Sequence, residues 1–443
     1  MAACAALLSG IPAFAGDASI ADLLNRPLLD PNLPWREVQE YCKSRVPPVP
    51  EVKSIEEWER FANAARQGAL DKVVFRGAAA EWRAIPTDVE WLDTIEGGPE
   101  YVIRKLRYEA VPGMWIPALL YEPKQLTGKV PVVLNVNGHD GNGKVAEYKQ
   151  VRCINQAKRG MLALNVEWIN MGQLRGADFS HYRMNQLDLC GTSGLAPFFL
   201  SMSRGLDILL QHEHADPERV AVAGLSGGGW QTIVISALDT RVTLCDPVAG
   251  YSSFITRSGV TSDLGDSEQT PVDLATVADY AVLTAIRAPR PMLLTFNDRD
   301  NCCFAAGHAL PPLLEAARPV YRLYGKPENL VAHVNHTPGS HNFDQDNREA
   351  LYRMIGEHFY AGQEFDGRET ECAAEVKTKE QLEVPLPQPN AGFNTLARRL
   401  LDGLPRRDAA ATAETQRQRL AEIVHAGKSA VSQADLASAE QSG

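Results

Sequence analysis

The stretch Val220-Ala-Val-Ala-Gly224-Leu225-Ser226-Gly227-Gly228-Gly229-Trp230 places Gly-x-Ser-x-Gly between a short apolar run and a helix-forming run from Trp230 to Leu238. A strand, a sharp turn and a helix in that order lift a serine hydroxyl clear of the backbone, on a turn whose flanking positions must lack side chains. Gly224 and Gly228 meet that need. The next amide, that of Gly227, then faces the oxygen that becomes negative when the hydroxyl attacks a carbonyl. The alternative is a serine in an ordinary glycine-rich loop, against which stand the flanking strand and helix and the partners downstream. A phosphate-binding loop is excluded, because no Gly-Lys-Ser/Thr follows the glycines.

An attacking serine needs a base, and the base needs an orienting acid. Pro291 to Phe296 reads as a strand, and Asp298 and Asp300 follow it. Leu330 to Val334 reads as a last strand, with Gly339-Ser340-His341-Asn342-Phe343 as the loop before a helix from about Gln345 to Phe359. The order serine, acid, histidine makes His341 the expected base. Asp300 is the expected acid, and Asp298 should lie within the turn. A second oxyanion donor is expected in Asn137-Gly138-His139-Asp140-Gly141, with the amide of His139 first and that of Asp140 second. The same residues could form only a turn.

Other polar residues point less clearly to chemistry. His333 and His336 stand three apart on a strand, hence on opposite faces, and should not chelate a metal. His212 and His214 close a helix beginning near Ala196 and carry no expected catalysis. Eight cysteines without a Cys-x-x-Cys pair fit neither a disulfide framework nor a zinc finger, and the neighbours Cys302 and Cys303 read as packed thiols. Trp168 to Leu174 and Ser262 to Gln269 follow strand ends, so they are candidates for substrate contact or plain surface loops.

The elements that must position these groups are legible as texture. Val89 to Glu122 reads as antiparallel strands broken at Gly97-Gly98 and Val111-Pro-Gly113. Beyond Lys129, short apolar runs alternate with helical ones: Val130 to Val136, Met161 to Val166, Val220 to Ala223, Thr243 to Cys245, Pro291 to Phe296 and Leu330 to Val334. Strands apolar on both faces and separated by helices specify an α/β fold with a mostly parallel sheet covered on both sides. Residues 16–88 form an N-terminal extension: a proline-rich stretch expected to run extended over the surface, then a helix begun by a capping box at Ser54-Ile-Glu-Glu57. Residues 89–360 are the expected catalytic domain, and 361–443, polar and charged, a linker or helical tail.

The chain has 443 residues, 44% of them hydrophobic, enough for one large core with appendages. A net charge of -11 would repel phosphate backbones and anionic lipid, so nucleic acid and membrane surfaces are excluded as partners. Residues 1–15, apolar and ending in Ala13-Phe14-Ala15, are expected to be an export signal, which implies a secreted or periplasmic protein. No other run is apolar enough to span a membrane.

The segments NVNGHDG, DLCGTSGLAPF, VAGLSGGGW, FNDRDNCCF and NHTPGSHNFDQDNR resemble the acetyl xylan esterase and dienelactone hydrolase-like branch of the α/β hydrolases, over roughly residues 90–360. The resemblance implies an α/β-hydrolase fold and two-step acyl transfer by Ser226, with Asp300 and His341 completing the triad. It also implies a small-molecule or polysaccharide ester as substrate and no cofactor, and no residues are read as a metal site. Glucuronoyl esters and lactones stay open, because pocket shape decides them. A serine peptidase of the same fold would carry a propeller before residue 130, whose strand repeats are lacking here. A binding module that had lost its chemistry would be expected to lack Ser226, the acid or His341.

Overall fold

The computed structural model describes Asn25 and residues 30–404 and 411–424. The export signal expected at 1–15 lies outside the described residues. The strands are β1 Val89–Glu96, β2 Tyr101–Val111, β3 Met114–Pro123, β4 Val130–Asn135, β5 Leu162–Val166, β6 Ala215–Leu225, β7 Leu244–Val248, β8 Met292–Asn297 and β9 Leu330–Asn335. They form one sheet in the order β1-β2-β3-β5-β4-β6-β7-β8-β9. β1, β2, β3 and β5 pair antiparallel in turn. From β5 across to β9 all pairs are parallel.

Why the sequence reads so clearly here is visible in burial. Every residue of β5, β7 and β8 is buried, as strands covered by helices on both faces must be. In β2 buried and half-buried residues alternate over Tyr101 to Lys105, the mark of a strand with one drier face. The parallel strands all end on one rim of the sheet, where the loops after β4, β6, β8 and β9 gather. That rim carries the candidate site.

The N-terminal extension braces the helix behind the elbow. Its helix, Ile55–Ala69, starts where the Ser54 side chain accepts the Glu57 amide. Trp58 is fully buried, and Arg66 Nε donates to the Ala237 carbonyl at 2.9 Å, near the end of the helix Gly227–Leu238. The stretch before it is not wholly extended as expected: Leu33–Arg45 is a helix with Pro34 in its first turn. A proline there gives up no helical hydrogen bond and brings a preset φ, so proline content misled the reading.

The chain divides into two compact units, Met1–Ala397 and Arg398–Gly443. The first therefore runs well past the boundary expected at 360. Cys372, Leu382 and Val384 join Tyr101, Ile103, Leu119 and Tyr121 in one buried cluster. The Ala391 amide donates to Gly113 O at 2.8 Å, and Asn390 both accepts from the Trp115 amide and donates to its carbonyl. A sparse set of apolar anchors with backbone pairing between them looks, in composition, like a linker. In the second unit the helix Ala413–Ile423 is capped by Thr412, whose side chain accepts the Thr415 amide. No helix among the described residues is long and apolar enough to cross a membrane.

One buried group gives the fold a pH dependence. Asp246 on β7 is fully buried, with the Thr295 hydroxyl donating to one carboxyl oxygen at 2.7 Å. Burial pushes its carboxyl up to about 8. The folded chain thus keeps a proton that the unfolded chain releases above pH about 4. Its contribution to stability is full below that pH and is lost as pH rises through about 8. Asp246→Asn, which stays neutral, should gain in Tm relative to the parent as pH is raised from 5 to 9. A Tm difference independent of pH would rule out a buried protonated carboxyl.

Candidate active site

Ser226 sits at the tip of β6 with φ 62° and ψ −121°, a conformation that non-glycine residues rarely hold unless their surroundings impose it. The surroundings here are backbone. A Cβ on Gly224 would lie 2.3 Å from the Val136 carbonyl, and one on Gly228 2.8 Å from the same atom. A Cβ on Gly138 would fall 2.8 Å from the Gly227 nitrogen, so the loop after β4 lies directly against the elbow. The Ser226 amide is tied to Val248 O at 2.9 Å, and the Ser226 carbonyl starts the helix by accepting from Trp230.

Asp300 and His341 meet across the ends of β8 and β9. His341 Nδ1 lies 2.8 Å from Asp300 Oδ2 and 3.0 Å from Oδ1. The Asp300 side chain is fully buried, and it also accepts from Asn297 Nδ2 and the amides of Cys302 and Cys303. Burial alone would favour the neutral acid. The hydrogen bond and charge of His341, with the Asn297 and Cys302 donors, outweigh burial and hold the carboxyl below its ordinary range. His341 is raised above its ordinary value: burial opposes its charge, but the bond to Asp300 and that carboxylate's charge prevail. Asp298 points elsewhere, with Oδ2 3.2 Å from His336 Nδ1 on the surface. His333 pairs with Asp346 at 3.0 Å, so the His-x-x-His residues face separate carboxylates.

Buried asparagines hold the histidine loop in place. Asn342 Nδ2 donates to the side chains of Asn297 and Asn335 and to Ser340 O. Asn347 Nδ2 donates to Asn297 Oδ1 and Asn342 O at 3.0 Å each, while Asn335 Oδ1 accepts the Gly339 amide. The His341 amide donates to Asn301 Oδ1. Asn297, Asn335, Asn342 and Asn347 are buried and hydrogen-bond to one another, so the loop's geometry is fixed before any substrate arrives.

The candidate contact loops hold a feature that the sequence did not announce. The side chains of His139, His181, Asp266 and Glu268 converge, one ligating atom of each lying within 4.8 Å of the others. The ring of His139 rests over Gly227, where a Cβ would be 3.2 Å from its Cε1. The expectation had used only the His139 amide. Trp168 is buried and packs edge-on against both imidazoles, at 6.1 and 5.1 Å between centroids. Lys144 and Glu167, both buried, clasp the bases of these loops: the Lys144 amide meets Glu167 Oε1 at 2.7 Å, and Nζ meets Oε2 at 3.2 Å. The four clustered residues come from three separate loops with no repeating spacing. Their common signal is that each follows a parallel strand's end.

Sheet order, elbow and the carboxylate–imidazole pair together are those of the α/β-hydrolase fold. Residues 80–258 match the family model described as acetyl xylan esterase, and the resemblance read from the sequence points the same way. Among solved structures, a methylesterase superposes with a TM-score of 0.59 at 18% identity, over 84% of this chain and 79% of that one. An acetyl xylan esterase, so described, from Bacteroides fragilis gives 0.56 at 16% identity, over 85% and 95%. A glucuronoyl esterase from Solibacter usitatus gives 0.54 at 15%, over 71% and 98%. At these identities the likeness is one of fold. No curated protein matches the sequence significantly.

Two outcomes follow from the pair. Asp300→Asn should lower kcat/KM for an ester by about two to four orders of magnitude through misorientation of the imidazole, whereas Asp298→Asn should change it by less than about threefold. Since His341 must be neutral to accept a proton, kcat/KM should rise with pH through a midpoint above the ordinary histidine value of about 6.5. In Asp300→Asn the residual activity should show that midpoint moved down. An unmoved limb would mean that another group controls it.

Proposed function

We propose that the protein hydrolyses carboxylic esters of carbohydrates, acetyl esters foremost, with Ser226 as nucleophile, His341 as base and Asp300 as its orienting acid. The carrying observation is the buried Asp300 locked on His341 at the same rim of the sheet as the strained Ser226. Ser226 Oγ attacks the ester carbonyl carbon as its proton passes to His341 Nε2. The oxygen that becomes negative is met by the amides of Gly227 and His139. The C–O bond then breaks, and the sugar hydroxyl leaves with the proton from His341. Water, deprotonated by the same imidazole, attacks the acyl-serine, and the C–Oγ bond breaks as Ser226 Oγ takes the proton back from His341 and acetate leaves. This cycle needs no redox partner.

The choice of acetyl esters rests on the family match over residues 80–258. The glucuronoyl esterase fold keeps glucuronoyl esters as the second reading. The apolar segment ending in Ala13-Phe14-Ala15 favours a place outside the cytoplasm, where polymeric esters are met.

The test is product analysis on acetylated xylan, a simple acetate ester and a glucuronoyl methyl ester. Acetate should be released from xylan, and Ser226→Ala should lose roughly a thousandfold or more in turnover with an unchanged Tm. Cleavage of the glucuronoyl ester alone would establish the second reading. Acetate release undiminished in Ser226→Ala would remove the nucleophile assignment altogether.

A further inference from the structure

The convergence of two imidazoles and two carboxylates beside the elbow is unusual in its geometry. His139 Nε2 lies 2.8 Å from Asp266 Oδ2, 3.6 Å from Glu268 Oε1 and 3.1 Å from His181 Nδ1. His181 Nδ1 lies 3.0 Å from Glu268 Oε2 and 3.5 Å from Asp266 Oδ2. Tetrahedral ligands around an ion held at roughly 2.0–2.1 Å are about 3.3 Å apart, the middle of this range. The orientation of His181 is set from behind, because its Nε2 reaches the Ile169 carbonyl at 2.7 Å. Only an N–H can donate there, so a neutral His181 turns the lone pair of Nδ1 into the cluster, as metal-ligating histidines held by a carbonyl do.

Glu268 supplies an independent observation. Its side chain is fully buried, and neither carboxylate oxygen accepts a hydrogen bond, although an imidazole nitrogen stands 3.0 Å from one of them. A buried carboxylate without donors is costly unless a positive charge faces it. Contacts this close without hydrogen-bond geometry are what side chains aimed at a common centre produce.

We propose that His139, His181, Asp266 and Glu268 bind one first-row divalent cation, of the zinc type given two nitrogen and two carboxylate donors. The site opens on the side of Asp266, which is 55% exposed, while His181 and Glu268 form its floor. The cation fixes the ring of His139, whose other edge lies on Gly227. His139 is thus a positioning residue for the elbow as well as a ligand. Cation binding does not depend on the esterase reading, since none of the four ligands is Ser226, Asp300 or His341.

The full chain, stripped with chelator and dialysed against zinc chloride, should take up one equivalent by elemental analysis. Its Tm should rise by roughly 2–4 °C. Ser226→Ala should bind equally, which separates this result from any failure of the ester chemistry. Asp266→Asn and His139→Gln alter partly exposed positions and should fold, yet each should bind zinc about tenfold or more weakly. His333→Ala, on β9 and away from the cluster, should bind as the parent does. Uptake well below one equivalent with an unmoved Tm would overturn the proposal. So would full uptake that both ligand variants retain, or uptake that only His333→Ala loses.

Discussion

The strand β4 runs so close to the elbow that no side chain fits between them, and most of the site follows from that approach. Val136 O occupies the space where a Cβ of Gly224 or Gly228 would stand. Close packing of backbone on backbone lets the loop after β4 lie on the Gly227 amide and forces Ser226 into a left-handed conformation. The strain is local, of order 1–3 kcal/mol, and is held by a sheet buried on both faces. Ser226 is thereby presented at the rim where β8 and β9 deliver Asp300 and His341. Each of the three side chains is placed by a different strand, and the sheet's register sets their spacing.

How much of this could be read from the sequence depended on whether a residue's role was local. The elbow was legible because strand, glycines and helix are contiguous around Ser226. Asp300 and His341 were legible because strand-end loops in a parallel sheet share one rim, so chain order predicts proximity. Choosing between Asp298 and Asp300 needed the direction of a turn, and the structure turns Asp300 inward to His341 and Asp298 outward to His336. The cluster of His139, His181, Asp266 and Glu268 was not legible. Its members come from three loops, and nothing in their spacing encodes convergence. Two larger misreadings had compositional causes. Pro34 begins a helix rather than extending the chain, and the polar stretch after Tyr360 buries Cys372, Leu382 and Val384 in one cluster and Phe393 against Phe198.

The polar interior near the site is as specific as the apolar one. Asparagines at 297, 335, 342 and 347 exchange hydrogen bonds from a strand end, a second strand end, a loop and a helix. Replacing any of them with an apolar residue would leave its partners buried and unsatisfied, a larger penalty than the loss of one bond. Lys144 and Glu167 act likewise under the loops that carry His139 and Trp168. The chemistry at the rim is therefore supported by charge and amide pairing beneath it, and by aromatic packing of Trp168 with Phe198 and Trp230 to one side.

The segment that closes over β2 and β3 bears on how the chain is made. Tyr101, Ile103 and Tyr121 are synthesised early, yet Cys372, Leu382 and Val384, which cover them, leave the ribosome more than two hundred residues later. Through most of translation the antiparallel end of the sheet has only a partial cover on its drier face, from Cys153, Ile154 and Ala157 of the helix Glu147–Lys158. At roughly 5–20 residues per second that interval lasts about ten seconds or more. During it the nascent chain carries an apolar face still partly open to chaperones, and this buried cluster is complete only after the late covering segment has emerged.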